Sequence, residues 1–134
     1  MLMQQRLSER VIGLVINVHR ALGPGLLGSV YETCFAFKLK QAGLAFRRQV
    51  PIPVIYRSVR LVTGFRADLL IAEQLIMEIK AIDHLLPAHE AQALTYLRMS
   101  TCRIALLFNF NALRLKDGLR RFVRSRQDGE VLPA

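Results

Sequence analysis

Residues 65–82 read Phe65-Arg66-Ala67-Asp68-Leu69-Leu70-Ile71-Ala72-Glu73-Gln74-Leu75-Ile76-Met77-Glu78-Ile79-Lys80-Ala81-Ile82. Two apolar runs of strand length flank the short segment Ala72-Glu73-Gln74, which is the pattern of a hairpin. The expected strands run from Arg60 to Ile71 and from Leu75 to Ile82. A tight turn at 72–74 pairs residues whose numbers sum to about 146. Asp68 then falls opposite Glu78, with the bases of their side chains ~5 Å apart. Strand residues alternate faces, so Glu78 and Lys80 share one. The hairpin thus gathers two carboxylates and one amine among apolar neighbours.

Adjacent carboxylates repel, and keeping both charged beside apolar surface is costly unless a cation joins them. Mg²⁺ or Mn²⁺ would serve, because hard divalent ions prefer carboxylate oxygens and keep several waters. Lys80 would then hold or help activate a water on the ion and face a phosphate. The same three residues could instead form a salt-bridged trio on a solvated sheet face, and the hairpin alone does not separate the two readings.

Working outward, Leu7, Val11, Leu14, Val15, Val18 and Leu22 recur at helical spacing and predict a helix from about Ser8 to Ala21. Gly23-Pro24-Gly25 ends it. A second helix follows up to about Gln41, with Gly43 as its C-terminal cap. Ser29 and Glu32 have the spacing of a capping box at its start. Gln49 to Tyr56 reads as a strand whose Pro51 and Pro53 place it at an edge or make it irregular. Pro87 suits the first turn of a helix running to about Met99. Ile104 to Phe110 is almost wholly apolar and predicts a central strand buried on both faces. Leu113 to Arg126 is open between a strand and a short basic helix, and the chain after Gln127 is expected to fray. The order predicts an α/β fold: a central mixed sheet flanked by helices, built as one domain over residues 1–134 with its core at about 8–123.

The chain has 134 residues, 52% of them hydrophobic and 22% charged, which excludes a disordered polypeptide. Its 19 basic and 10 acidic residues give a net charge of +9, which attracts polyanions and puts nucleic acid first among partners. Fifteen of the basic residues are Arg, whose planar guanidinium pairs bidentately with phosphate. The densest basic segment holds Arg114, Lys116, Arg120, Arg121, Arg124 and Arg126. As a nucleic-acid contact it would act through phosphates, and Arg120, Arg121 and Arg124 are its candidate residues. Cys34 and Cys102 match no metal-ligand or disulfide spacing and are expected to be buried free thiols in a reducing cytoplasm. No apolar run is long enough to span a membrane, and Met1 to Arg10 lacks a signal peptide's apolar centre.

Asp68 followed one hairpin later by Glu78-Ile79-Lys80 resembles the PD-(D/E)XK nuclease core, with Ala67 in place of the usual proline. Gln92 and Tyr96, four apart on the following helix, resemble the Gln-x-x-x-Tyr motif of the RecB-like branch. From about Ser8 to Val123 the chain resembles the GxxExxY protein family. The matching stretches are Val18 to Leu27, Ser29-Val30-Tyr31-Glu32, Arg66 to Leu70, Glu78 to Ala81 and His89 to Gln92. The resemblance implies a restriction-endonuclease-like core and a nuclease using Mg²⁺ or Mn²⁺. It makes Asp68, Glu78 and the Ile79 carbonyl metal ligands, Lys80 catalytic and Gln92 supporting. It also implies a glutamate at position 28, where this chain has Gly28. Glu32, four residues on, shares that face if the helix already includes position 28, and is the candidate replacement carboxylate.

His19 and Tyr96 complete the candidates for support. His19 lies near the end of the first helix, where it can interact with the helix C-terminus or contact substrate. His89 and Glu90 suit helix stabilisation better than metal binding. The expected activity is hydrolysis of DNA, or alternatively RNA, by a metal-activated water. The alternative is an inactive nuclease-fold module that binds nucleic acid or a protein partner, which Gly28 favours. Assembly into a homo-oligomer through the apolar helices is compatible with the sequence, and a membrane partner is not expected.

Overall fold

The computed structural model describes residues 3–124 and 131–133. The first helix, α1 (Met3–Leu22), starts five residues before its expected beginning because Gln4, Gln5 and Arg6 are good helix formers ahead of Leu7. Gly23 ends it, taking the left-handed conformation (φ 68°) while its amide donates to His19 O at 2.8 Å.

Helix α2 (Gly28–Gln41) begins one residue before Ser29, and its N-cap Leu27 makes no side-chain bond. The expected capping box is therefore not formed: Ser29 sits inside the first turn and Glu32 is buried elsewhere. At the other end the Gly43 amide donates to Lys40 O and the Leu44 amide to Leu39 O, with Gly43 at φ 74°. That is the glycine cap the sequence predicts.

Six strands form one sheet in the order β1-β4-β5-β6-β7-β8. They are β1 (Phe46–Pro51), β4 (Arg66–Ile71), β5 (Leu75–Lys80), β6 (Ile104–Asn109), β7 (Leu119–Arg124) and β8 (Val131–Pro133). Two shorter strands, β2 (Val54–Tyr56) and β3 (Val59–Leu61), form a separate hairpin. The single strands expected at Gln49–Tyr56 and Arg60–Ile71 are thus each two. Pro51 and Pro53 interrupt the first, and Gly64 at φ 86° turns the chain within the second. The proline-bearing β1 is an edge strand, as its missing amides require.

Helix α3 (Pro87–Met99) carries the chain from β5 to β6, which run parallel, while the other pairs of the sheet are antiparallel. Every residue of β6 is buried. Its Ile104, Leu106 and Phe108 pack with Leu75, Met77 and Ile79 against Val11, Val15, Tyr31 and Phe35 of α1 and α2. On the opposite face Ala105 and Leu107 pack with Ile76 against Ala93, Tyr96 and Leu97 of α3. Each large side chain so buried contributes about 1.5–3 kcal/mol. The result is a mixed α/β fold with helices on both faces.

The segment from Leu113 resolves into both of its expected forms, a one-turn helix α4 (Leu115–Gly118) followed by β7. Residues 119–124 are therefore an interior strand between β6 and β8. Arg126 and residues 127–130 lie outside the described residues, but Val131–Pro133 pair with β7, so fraying beyond Gln127 is overturned there. The β8 contacts reward extension that sequence pattern alone did not reveal. Cys34 and Cys102 are both free thiols; Cys102 is buried and Cys34 half-buried. Among the described residues no helix is long and apolar enough to cross a membrane.

Candidate metal centre

The β4–β5 hairpin turns through Ala72 and Glu73, both left-handed (φ 53° and 56°), and pairs Leu69↔Met77, Leu70↔Ile76 and Ile71↔Leu75. These pairs have the register that brings Asp68 opposite Glu78. The ladder stops there, and side chains take over. Asp68 Oδ2 accepts the Ile79 amide at 2.7 Å, and the Asp68 amide approaches Glu78 Oε2 at 3.4 Å. The two carboxylates therefore lock the point at which the strands part.

Glu78 is only 3% exposed, and its Oε1 is buried without a hydrogen-bond partner. Burial, followed by the hydrogen bond to and the charge of Asp68, pushes its pKa up to about 9, although Lys80 acts in the opposite direction. No ion pair within 4.0 Å joins Lys80 to either carboxylate. Lys80 Nζ instead approaches Gln92 Oε1 on α3 at 3.5 Å. The salt-bridged trio is thus not what the fold builds. An acidic pair with an unsatisfied oxygen is left, and its hard donors fit a divalent cation. Among the described residues no three His, Cys, Asp or Glu side chains are grouped for a metal, so an ion here would rest on two carboxylates, backbone carbonyl and water.

A third carboxylate arrives indirectly. Glu32 is buried on α2, and its Oε1 accepts the Gln49 amide Nε2 at 2.7 Å, while the same nitrogen approaches Asp68 Oδ1 at 3.3 Å. Arg48 donates to Glu32 Oε2 from Nε at 3.0 Å and pairs with it through Nη2 at 2.9 Å. Gln49 lies opposite Asp68, between the β1–β4 pairs Arg48↔Leu69 and Val50↔Ala67, and adopts φ 52°. Side-chain alternation breaks there. Phe46 and Leu69 pack toward α1 and α2, whereas Val50 and Ala67 pack toward α3. Arg48 and Gln49 were not among the candidates from sequence, because only the β1–β4 register puts an exposed, polar stretch against the carboxylates.

Tyr96 is buried on α3, its ring tilted against Phe65 at 5.7 Å. Its pKa is raised by burial and then by the charge of Glu78. His19 has a different partner: its Nε2 is 2.8 Å from Ala112 O, 93 residues away, so it ties α1 to the loop after β6 and not to its own helix end. His89 Nδ1 accepts the Leu86 amide at 2.9 Å, a helix-start role. Asn109 clamps the end of β5 by binding both the amide and the carbonyl of Ile82.

Arg120, Arg121 and Arg124 are half-buried, and two of them bond to backbone carbonyls. Arg124 donates to Ser100 O at 2.7 Å and Arg98 O at 2.6 Å, satisfying carbonyls at the end of α3. Arg120 donates to Leu119 O at 2.9 Å and lies 3.8 Å from Glu90, and Arg121 is half-buried. Arg121 Nε is buried without a partner, while Arg114 and Lys116 of the same basic segment are exposed.

A family model described as PD-(D/E)XK nuclease superfamily matches residues 5–122. The chain belongs to the PD-(D/E)XK nuclease superfamily. No curated protein and no solved structure matches it. Nucleases of this superfamily generally use divalent metals, in keeping with the acidic pair at Asp68 and Glu78.

Proposed function

We propose that the protein is a divalent-metal-dependent nuclease that hydrolyses phosphodiester bonds of DNA, with Mg²⁺ or Mn²⁺ as its ion. The observation that carries this reading is the buried, unpartnered Glu78 Oε1 beside Asp68, with Lys80 uncommitted to either carboxylate. Asp68, Glu78 and the Ile79 carbonyl would hold the ion, which when bound would acidify a water and offset phosphate charge. Asp68 keeps its orientation through the Ile79 amide. Lys80, steered by Gln92, places its ammonium toward charge developing on the phosphate. Glu32 aligns Asp68 through Gln49. Tyr96, buried on α3 against Phe65, would support the α3 side of the site. The likeness to the GxxExxY family and the RecB-like branch supports the same assignment.

Assay of the purified chain on single- and double-stranded DNA and on RNA, with Mg²⁺ and with Mn²⁺, tests this. Metal-dependent cleavage of DNA that Lys80→Ala abolishes, with DNA affinity kept within a few fold, is expected. A second reading is favoured by Gly28 and by the engagement of Glu32 with Arg48: a nuclease-fold module that binds without cutting. It requires binding with no cleavage of any of these substrates.

A further inference from the structure

Between β1 and β4 the chain leaves the main sheet, and every residue from Ile55 to Arg66 is exposed. The β2–β3 ribbon pairs Val54↔Leu61, Ile55↔Arg60 and Tyr56↔Val59 across a two-residue turn, with Arg57 and Ser58 at φ 48° and 67°. These are the angles of a type I′ hairpin turn. Its base is closed by the Ile52 amide donating to Phe65 O at 2.8 Å, and Phe65 rests on Tyr96. The ribbon is thereby fixed to α3 and enters β4 immediately before Asp68.

An isolated two-stranded ribbon is marginal in water, yet this one displays Ile55, Tyr56, Val59, Leu61 and Val62, the last 86% exposed. Tyr56, Val59 and Leu61 share one face of the ribbon, and Ile55 and Val62 lie with Arg60 on the other. Apolar side chains exposed on both faces of so small an element mark a binding site. Charge decides its occupant. From Pro53 to Arg66 there are three arginines and no carboxylate. Arg57 lies over the Tyr56 ring at 5.5 Å, and Arg60 has no ion-pair partner among the described residues. A second copy, also carrying +9, would set arginine against arginine. A polyanion is complementary.

We propose that the β2–β3 ribbon is a wing that enters the major groove of duplex DNA beside the cleavage site, an inference that rests on the nuclease reading. The B-form major groove, ~12 Å wide, admits a two-stranded ribbon, whereas the deep, narrow groove of duplex RNA does not. Arg57 and Arg60 contact phosphates or guanine edges, and the apolar side chains meet thymine methyls. At ~3.3 Å per residue the ribbon tip reaches at most ~33 Å from Asp68, so the contacts fall within about ten base pairs of the cut.

Fluorescence anisotropy in EDTA, with the full chain and labelled duplex DNA, duplex RNA and single-stranded DNA of one sequence, tests the wing. Arg57→Gln/Arg60→Gln is expected to weaken duplex-DNA binding at least tenfold and to lower the magnitude of its log–log salt slope by about two. Val62→Ser should weaken binding a few fold with no change of slope. Mn²⁺ titration should be the same in these variants as in wild type, showing the metal site and fold intact. Unchanged affinity and slope in the double variant would overturn the proposal, as would duplex RNA bound as tightly as duplex DNA. A wild-type dimer in sedimentation that the double variant abolishes would overturn it in favour of self-association. Failure of the nuclease reading shows separately, as absence of Mn²⁺ binding to the wild type.

Discussion

Asp68 takes the Ile79 amide with its side chain, at 2.7 Å, at the point where the β4–β5 ladder ends. One carboxylate thus both shapes the parting of the strands and charges the site. Asp68→Asn separates the two roles, because an amide oxygen can still accept from Ile79 while the negative charge is gone. Expected is a folded protein with a melting temperature equal to or above that of the wild type, and no measurable Mn²⁺ binding by calorimetry. Retained Mn²⁺ affinity would move the ion away from Asp68.

The raised pKa of Glu78, about 9, gives a pH dependence of definite sign. Without metal, the folded state holds a proton that an unfolded glutamate releases near its ordinary value of 4.5. Stability from this group is full below that value and is lost as pH rises toward 9. Metal binding must displace the proton, so Mn²⁺ affinity should rise by up to about tenfold per pH unit between pH 6 and 8. Titrations in two buffers of different ionisation enthalpy should report about one proton released per ion at pH 7.

Gly28 stands in the first turn of α2, and a Cβ built there meets no atom within 4 Å. Gly28→Glu should therefore fold, with its new carboxylate favoured at a helix N-terminus by ~0.3–1 kcal/mol. If the lack of a carboxylate at position 28 limits catalysis, this variant should cleave faster than wild type under identical Mg²⁺. An unchanged rate, with the melting temperature maintained, would show that a carboxylate at position 28 does not limit the reaction.

Arg124 serves structure: its guanidinium donates to two carbonyls at the end of α3. Arg124→Ala should cost about 1–3 kcal/mol in chemical denaturation, with the salt slope of DNA binding unchanged. A normal stability with a shallower slope would restore the C-terminal strand as a nucleic-acid surface.

The hairpin register was legible because a short turn and alternating faces leave little freedom: Leu69↔Met77 follows once residues 72–74 are the turn. The buried strand Ile104–Asn109 was equally legible from its unbroken apolar run. What sequence did not reveal depends on contacts between distant segments. Gln49 becomes a bridge only when β1 meets β4, skipping the ribbon that the sequence shows as parts of two strands. Glu32 has the spacing of a cap, but the helix begins two residues too early for it, with Leu27 and not Ser29 as its N-cap, and Arg48 and Gln49 claim the carboxylate. Arg124 reads as free charge until the carbonyls of α3 arrive beside it.

The most direct measurement is calorimetric titration of Mn²⁺ into the wild type and into Glu78→Gln at pH 8. Heat of binding in the wild type and none in Glu78→Gln is expected, since the substitution removes a carboxylate whose buried Oε1 has no hydrogen-bond partner. No Mn²⁺ binding by the wild type, or equal binding by both proteins, would contradict a divalent-metal centre at Asp68 and Glu78.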